Sequence, residues 1–457
     1  MKKKIYCGAG KENITPPADL LLRLPGLMWG HFSGKIYDEL YVRAVAFKNE
    51  ENTVLFVEFD LDKAPNPQGS LDAIKEKFGL SQENVLFFGI HTHTAPVSSM
   101  RPFESMNSRA HKSPDEQEAM IVYEQILMEK TFLAVEKALN NLQEAKIGWA
   151  TGKSYINSNR CQNYEVEAED GSIHSCCALG INPEGPVDHT LFVMKAENMQ
   201  GEPIAFLVNY PVHCCVMIGN DSDGKGNIGI SGDIAGVTSQ LVEEKYGGVC
   251  VWSSGAAGDV NPVFMNQYYY PNPKNGAFCE HHVQGSETAL AALKLLTGRH
   301  FADIVSVLRG IKCEMEEGEI KAVMGWSKTP GRKIVKKGQG RNAPVEIITG
   351  EGVEPYQIRL HPVVIGTVAF CGISGELYTR LGRKIQEASP AKYTCIINHD
   401  ACLMVNTGYI PDDETIARCA ENLPEYFLPG IGDSAILPGF VEQSLAGLTK
   451  ELLEGLR

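Results

Sequence analysis

Residues 85–96 read Val85-Leu86-Phe87-Phe88-Gly89-Ile90-His91-Thr92-His93-Thr94-Ala95-Pro96. The apolar run at 85–90 is typical of a buried strand. Side chains alternate between the two faces of extended backbone, so His91 and His93 are expected on the same face. The residues that follow them end the strand. Both imidazoles are therefore predicted at the carboxyl end of a strand, where α/β proteins place their sites.

The histidine pair has two interpretations. Neutral imidazole is a common metal ligand and suits zinc in particular. A His-x-His pair is also about as often a hydrogen-bonded pair within a loop. The rest of the chain has to separate these two interpretations.

Length, charge and cysteine content restrict the class of protein. The chain has 457 residues, which allows one large domain with insertions or two fused lobes. Its net charge of −14 argues against binding to nucleic acid or to an anionic membrane surface. The lysine-rich start is not followed by the apolar core of a signal peptide, and no apolar run approaches the ~18 residues of a membrane-spanning helix. The thirteen cysteines form no C-x-x-C motif. We therefore expect a reduced, cytoplasmic protein, and the oligomeric state stays open.

The apolar pattern predicts an α/β fold, with a large mixed sheet and flanking helices. The clearest helical periodicity covers residues 116–142. Residues 304–360 read instead as strands with Gly- and Lys-rich turns, which predicts a β-rich subregion or appended hairpins. Predicted strands cover 42–47, 54–59, 85–90, 204–210, 249–252, 363–371 and 393–397, and further predicted helices cover 236–245, 282–296, 376–387 and 440–456.

Five segments share one layout, in which an apolar run borders a turn rich in potential ligands. The layout brings histidines and one carboxylate to strand ends, and such a set can hold a catalytic zinc ion that lowers the pKa of water toward ~7. Taken singly, His213 also fits a core histidine and Glu376 a carboxylate at a helix start. The glycine turn at 255–258 also fits a tight connection. The five segments are 91–93, 209–215, 231–236, 253–262 and 372–377.

These segments resemble the signature sequences of the neutral/alkaline non-lysosomal ceramidase family. The resemblance rests on Gly89-Ile90-His91-Thr92-His93-Thr94-Ala95-Pro96, on Gly255-Ala256-Ala257-Gly258-Asp259-Val260-Asn261-Pro262 and on Ser374-Gly375-Glu376-Leu377. Residues 8–17, 231–233 and 406–411 agree as well, in the same order along nearly the whole chain. The resemblance implies a single ceramidase-like catalytic domain over residues 1–457, with the β-rich insertion at about 304–360. The chain departs from the family in one respect, because we expect the family's C-terminal immunoglobulin-like domain to be absent.

The resemblance also implies a set of site residues. One Zn²⁺ per chain would be bound by His91, His213, Glu376 and Tyr409. His93 would lie next to the metal and polarise the water or the scissile carbonyl, although it could exchange roles with a ligand. His93 or Tyr409 would in addition help to stabilise the oxyanion.

Further residues of the same set would act around the metal. Arg160 and Tyr426 would bind the substrate. Asn261, also assigned to substrate binding, stands where ceramidases carry a serine, which argues against a serine-dependent mechanism. Asp259 would either take part in catalysis, with the glycine turn before it directing N–H groups to the centre, or organise the residues around the ligands.

These observations predict a zinc-dependent hydrolase that cleaves an amide bond with metal-activated water. An ester or lactone hydrolase with the same site stays open, as does a metal-stabilised binding protein without turnover. Iron, manganese and cobalt also accept mixed nitrogen and oxygen ligands. The expected partner is a small amide or ester, more soluble than long-chain ceramide, with no nucleic acid and no stable membrane association.

Overall fold

Two β-sheets packed face to face, with helices on their outer surfaces, make up the described part of the protein. The computed structural model describes residues 4–26, 31–97, 113–167, 171, 173–270, 280–315, 319–336, 345–400, 408–420 and 435–455. The mixed α/β architecture confirms the predicted fold class.

The secondary-structure elements are as follows in chain order. The helices are α1 (Ala18–Leu21), α2 (Pro67–Phe78), α3 (Pro114–Asn140), α4 (Asp233–Tyr246), α5 (Ser286–Leu308), α6 (Thr379–Ala388), α7 (Asp413–Ala420) and α8 (Val441–Glu454). The strands are β1 (Tyr6–Asn13), β2 (Phe32–Ile36), β3 (Tyr41–Lys48), β4 (Thr53–Phe59), β5 (Val85–Gly89), β6 (Gln143–Lys153), β7 (Asn157–Glu167), β8 (Ile173–Asn182), β9 (Thr190–Asn198), β10 (Pro203–Tyr210), β11 (Ile228–Ile230), β12 (Val249–Ser254), β13 (Val260–Pro262), β14 (Gln267–Tyr270), β15 (Glu280–Val283), β16 (Ile320–Ala322), β17 (Gly325–Thr329), β18 (Lys333–Lys336), β19 (Val345–Ile348), β20 (Tyr356–Ile365), β21 (Val368–Ile373), β22 (Glu376–Leu377), β23 (Tyr393–Ile397) and β24 (Tyr409–Ile410).

The larger sheet has eight strands in the order β12-β10-β9-β6-β1-β3-β4-β5. Its outermost pairs, β10–β12 and β4–β5, are parallel, and the pairs between them are antiparallel. Nearly every residue of β4, β5 and β10 is buried. Continuous apolar runs of this kind are expected where both faces of a sheet are covered.

The smaller sheet has the order β16-β20-β21-β23, and β17 also pairs with β20. β21 and β23 are parallel, whereas β16, β17 and β21 run antiparallel to β20. The two sheets share one apolar layer, in which the ring of Phe370 lies 5.1 Å from that of Phe56 and 5.9 Å from that of Phe192. Helices α2 to α5 cover the outer face of the larger sheet, and α6 and α8 cover the smaller one. The result is a four-layer sandwich.

Helix α3 begins at Pro114, two residues before the start of the helix predicted at 116–142. Ser113 Oγ accepts a hydrogen bond from Glu116 N at 3.2 Å, and Glu116 Oε2 accepts one from Ser113 N at 2.8 Å. This reciprocal capping box satisfies N–H groups that the first helical turn leaves without partners. Pro114 follows at the first helical position, where a missing N–H costs nothing.

The β-rich region differs from the prediction in extent and in role. Helix α5 continues to Leu308, so the strands begin only at Ile320. Among the described strands of this region, β18 and β19 pair separately, whereas β16, β17 and β20 belong to the smaller sheet of the core. The strand predicted at 363–371 is in fact two antiparallel strands, joined at Gly366, whose φ of 58° suits glycine.

A buried ionic cluster around Arg43 holds the first residues after β4 in place. The guanidinium of Arg43 donates to Asp60 Oδ1 and to Glu243 Oε1, both at 2.9 Å, and lies 3.3 Å from Glu58 Oε2. Asp60 also accepts a hydrogen bond from Tyr41 N at 2.9 Å. These contacts attach α4 to β3 and β4.

None of the helices in the described ranges is both long and apolar enough to cross a membrane.

Candidate metal centre

Three pairs of parallel strands end at the same edge of the sandwich. The carboxyl ends of parallel strands meet at one edge, which makes that edge the usual location of a site in α/β proteins. The turns after the strands bring together Asp62 and His91 (after β4 and β5), His213 and Asp259 (after β10 and β12), and Glu376 and His399 (after β21 and β23).

His91 and His93 are neighbours, as predicted, but not for the predicted reason. β5 ends at Gly89, and His91 has a left-handed backbone with a φ of 63°. The expectation of extended backbone through both histidines is therefore wrong. The two rings nevertheless approach to 4.7 Å between centroids. A positive φ at a non-glycine residue costs about 1–3 kcal/mol and persists only where the surroundings hold it.

Four imidazoles and one carboxylate form a cluster of potential ligands. Among the described residues, the ligand atoms of His91, His93 and His213 all lie within 4.8 Å of one another, and so do those of His91, Glu376 and His399. Glu376 Oε2 lies 3.2 Å from His213 Nε2 and 3.5 Å from His91 Nε2. Glu376 therefore joins the two groups.

The chemistry of this cluster fits a bound metal ion. Both ring nitrogens of His93 are buried, and no described residue offers them a hydrogen bond. Burial and the nearby charge of His91 hold the pKa values of His93 and His399 well below the ordinary value. Burial and the charge of Arg160 lower the pKa of His213 to about 4. Neutral imidazoles beside a carboxylate are the donors that zinc and related transition metals bind.

His91 differs from the other imidazoles because it lies between two carboxylates. Its Nδ1 is 2.6 Å from Asp62 Oδ1, and its Nε2 faces Glu376. Burial opposes the charged ring, yet Glu376 and Asp62 raise the pKa of His91 to about 9. Burial would also raise the pKa of Glu376, but the charge of His91 and the hydrogen bond with His213 hold it well below its usual range. The cluster thus stabilises a positive charge at its centre. Without a metal, the proton on His91 carries this charge, and a bound metal cation would take its place.

Tyr409 lies beside Glu376 because β22 and β24 pair in parallel. The N–H of Glu376 donates to Gly408 O at 3.0 Å. The Tyr409 ring lies 6.4 Å from the ring of His213, and the guanidinium carbon of Arg160 lies 5.1 Å from the centre of the tyrosine ring. Burial raises the pKa of the Tyr409 hydroxyl above its ordinary value. The structure therefore brings Tyr409 to the cluster that the family resemblance implies.

Arg160 is a buried cation held by the glycine turn. Its Nε and Nη2 donate to Gly258 O at 3.1 and 2.6 Å, and its Nη1 donates to Asn261 Oδ1 at 3.1 Å. The two residues predicted to bind substrate therefore contact each other, next to Tyr409. The third, Tyr426, lies outside the described residues.

The carboxylate of Asp259 is engaged in the scaffold around the site. Its Oδ1 accepts from both N and Oγ1 of Thr379 at 2.8 Å, and its Oδ2 accepts from Asn159 Nδ2 at 3.0 Å. These bonds attach the start of α6 to β7 and favour the organising role over a direct one. The N–H groups of Gly255 and Gly258 donate to backbone carbonyls, at 3.1 and 2.9 Å, so they do not point to the centre as expected.

The sequence interpretation missed Asp62 and His399. Asp62 follows the strand predicted at 54–59, and His399 follows the strand predicted at 393–397. Both have the layout of an apolar strand and then a potential ligand, so a wider application of the same rule would have found them. Their functional meaning depends on contacts with His91 that the local sequence does not show.

Solved structures of ceramidases share the fold of this chain. The crystal structure of a neutral ceramidase from Pseudomonas aeruginosa superposes with a TM-score of 0.65 at 16% identity, covering 100% of this chain and 74% of that one. A ceramidase complexed with C2 gives a TM-score of 0.65 at 16% identity, with 99% and 75% coverage. At this identity the likeness establishes the fold.

The family match extends beyond the fold. No curated protein matches the sequence significantly. The model of the family "Neutral/alkaline non-lysosomal ceramidase, N-terminal" matches residues 7–298, which is more than half of the chain. The resemblance noted in the sequence is confirmed: the chain belongs to the neutral/alkaline non-lysosomal ceramidase family and is a hydrolase acting on carbon–nitrogen (amide) bonds.

Proposed function

We propose that the protein hydrolyses the amide bond of an N-acyl or other small amide in a zinc-dependent reaction. The observation that carries this proposal is the meeting of His91, His93 and His213 with Glu376 at the ends of separate strands. The ring nitrogens of His93, buried and without a hydrogen-bond donor or acceptor in the described part of the chain, support a ligand at this place.

His91, His213 and Glu376 would hold the metal, and Tyr409 would complete the set that the resemblance implies. When bound, zinc acts as a Lewis acid and lowers the pKa of water toward ~7, so that hydroxide is available at neutral pH. Glu376 contributes the negative charge, because its pKa lies well below the usual range. The neutral imidazole of His213 keeps a lone pair for coordination.

His93 would move the proton during the reaction. Its ring is neutral and lies 4.7 Å from that of His91 and 6.0 Å from that of His213. One ring nitrogen can accept a proton from the attacking water and later donate it to the nitrogen of the scissile bond. An amine leaves readily only when it is protonated, so amide hydrolysis needs such a transfer.

Arg160 and Tyr409 would stabilise the oxyanion of the tetrahedral intermediate. The Arg160 guanidinium is held by Gly258 and Asn261, so its charge does not have to reorganise as the reaction proceeds. The hydroxyl of Tyr409, on a ring packed against that charge, would act beside it.

Asn261 provides no nucleophile. Its Oδ1 accepts from Arg160, and its Nδ2 lies 3.0 Å from Met265 Sδ. An amide side chain cannot replace the serine that ceramidases carry at this position, so the proposal assigns the attack to water.

The substrate would be small or polar, and the protein would be cytoplasmic. The net charge of −14 disfavours an anionic membrane surface, where a long-chain lipid amide would be presented. Seven cysteines whose side chains the structure describes are free thiols, which supports a reducing compartment: Cys7, Cys214, Cys215, Cys250, Cys313, Cys371 and Cys395.

Metal analysis combined with a substrate panel tests the proposal. Metal-free and zinc-reconstituted protein are compared on N-acyl amides of increasing acyl length and on the matched esters. We expect about one zinc ion per chain and zinc-dependent amide hydrolysis, both lost in His213→Ala. His189→Ala, a change at a partly exposed histidine outside the cluster, is the control. Ester hydrolysis without amide hydrolysis would instead indicate an esterase, and zinc binding without any turnover would indicate a binding protein.

A further inference from the structure

Two side chains that the proposed reaction does not use, Asp62 and His399, both contact His91. We propose that Asp62 and His399 clamp the ring of His91, so that its Nε2 is the atom presented to the metal. They are positioning residues that act through His91. The inference rests on the proposed metal site and is independent of the identity of the substrate.

The carboxylate of Asp62 lies against Nδ1 of His91, on the side of the ring away from Glu376. Its Oδ1 lies 2.6 Å from Nδ1, whereas Glu376 Oε2 lies 3.5 Å from Nε2. With a metal ion bound at Nε2, the ring proton would be on Nδ1, beside this carboxylate, as in the carboxylate–histidine–metal arrangement of many metal sites. Asp62 is therefore placed to orient the ring and to strengthen Nε2 as a donor.

The backbone holds Asp62 in this position. Ile90 N donates to Phe59 O and His91 N donates to Leu61 O, both at 3.0 Å, so the two segments run side by side beyond the ends of β4 and β5. Gly89 permits this approach, because a Cβ there would lie 2.8 Å from the carbonyl oxygen of Asp62. The pairing of Asp62 with His91 thus follows from the sheet itself.

His399 determines the plane of the His91 ring. The two rings stack with centroids 4.0 Å apart and an angle of 16° between their planes, whereas His93 and His213 meet His91 edge-on, at 77° and 72°. Coordination uses a lone pair in the plane of the ring, at a Zn–N distance of about 2.0–2.1 Å. An ion in the plane of His91 would lie far out of the parallel plane of His399. In this proposal His399 restricts the rotation of His91 by stacking on its face, although its ligand atom belongs to the same group of potential metal donors.

The turn that carries His399 is attached to β5, the strand that precedes His91. His399 has a φ of 62°, so the stacked pair supplies two of the four described non-glycine residues with positive φ. Such backbone persists only where neighbouring contacts hold it. The next residue, Asp400, accepts from Arg359 at 2.5 Å, from His361 Nδ1 at 3.0 Å and from Phe87 N in β5 at 3.1 Å. The clamp is thus built from both sheets.

Zinc affinity, measured by competition with a chromophoric chelator, tests the clamp without any substrate. We expect Asp62→Ala and His399→Ala to weaken zinc binding by about 10- to 100-fold, the usual effect of losing a residue that orients a ligand. Asp62→Asn keeps a hydrogen-bond acceptor, and His399→Phe keeps a flat ring without ring nitrogens, so both should retain most of the affinity. Asp303→Ala is the control, because the side chains of Asp303 and Asp62 are both 13% exposed.

The variants separate the clamp from its alternatives. Equal loss in His399→Phe and His399→Ala, with native circular dichroism in both, would make His399 a metal ligand and overturn its stacking role. Wild-type affinity in Asp62→Ala would overturn the role of Asp62. In zinc-loaded protein labelled with ¹⁵N-histidine, the proton of His91 should be on Nδ1, and a proton on Nε2 would also refute the clamp. A protein that binds zinc but cleaves no amide would refute the proposed function and leave these measurements intact.

Discussion

Gly258→Ala tests how closely the glycine turn packs against the strand that carries Glu376. A Cβ at residue 258 would lie 2.4 Å from the carbonyl oxygen of Glu376 and 2.7 Å from Cδ1 of Tyr378. Contacts this short do not occur in proteins, so the turn and the Glu376 backbone must separate by several tenths of an ångström. Metal–ligand distances in proteins vary by only about 0.2 Å, so this displacement is large for a ligand.

The expected cost follows from this contact and from the hydrogen bonds around it. Overpacking of a buried site typically costs about 1–3 kcal/mol of the free energy of unfolding. The same shift would stretch the bond from Gly258 N to Leu377 O, now 2.9 Å, and move the carbonyl that holds Arg160. If displacement of Glu376 reduces the free energy of zinc binding by about 1.4 kcal/mol, zinc affinity decreases about tenfold.

Urea unfolding of the metal-free protein measures the stability change, and chelator competition measures zinc affinity. Gly298→Ala is a control with the opposite expected sign. Gly298 lies within α5, a Cβ there would meet no atom within 4 Å, and alanine stabilises a helix by about 0.5–1 kcal/mol relative to glycine. A Gly258→Ala protein with wild-type stability and wild-type zinc affinity would refute the close packing on which this reasoning depends.

Three further predictions concern proton transfer, pH and substrate. His93→Ala should lower turnover far more than zinc content, because His93 handles the proton beside the metal; complete and equal loss of zinc in His93→Ala and His91→Ala would make both residues ligands. Burial raises the pKa of Asp38 from 3.8 to about 7, so the folded state binds a proton that the unfolded state releases, and stability should rise as the pH falls through this range. Asp38→Asn should reduce that rise in urea unfolding of metal-free protein, and an unchanged rise would contradict the assignment. Finally, kcat/KM should be higher for short or polar amides than for long-chain ceramide; a steady increase with acyl length would instead indicate an apolar groove, since each buried CH₂ contributes about 0.8 kcal/mol.

Much of the fold and several site residues could be predicted from local patterns. The strands predicted at 42–47, 54–59 and 393–397 agree with β3, β4 and β23 because buried strands need continuous apolar runs. His91, His213 and Glu376 stood out because each follows such a run. A potential ligand after an apolar strand can be recognised from the neighbouring residues alone. The order of the motifs also identified the family, which the match over residues 7–298 confirms.

The tertiary structure alone determined which strand ends meet and how the side chains face one another. His213 and Glu376 are separated by 163 positions in the chain but by 3.2 Å in space, and they belong to turns after strands of different sheets. The left-handed backbone of His91 and its contacts with Asp62 and His399 likewise depend on the packing of the two sheets. Hydrophobic periodicity reports the burial of each segment separately and carries no information about its partner. The site is therefore assembled by long-range packing from segments that the local sequence could only mark as candidates.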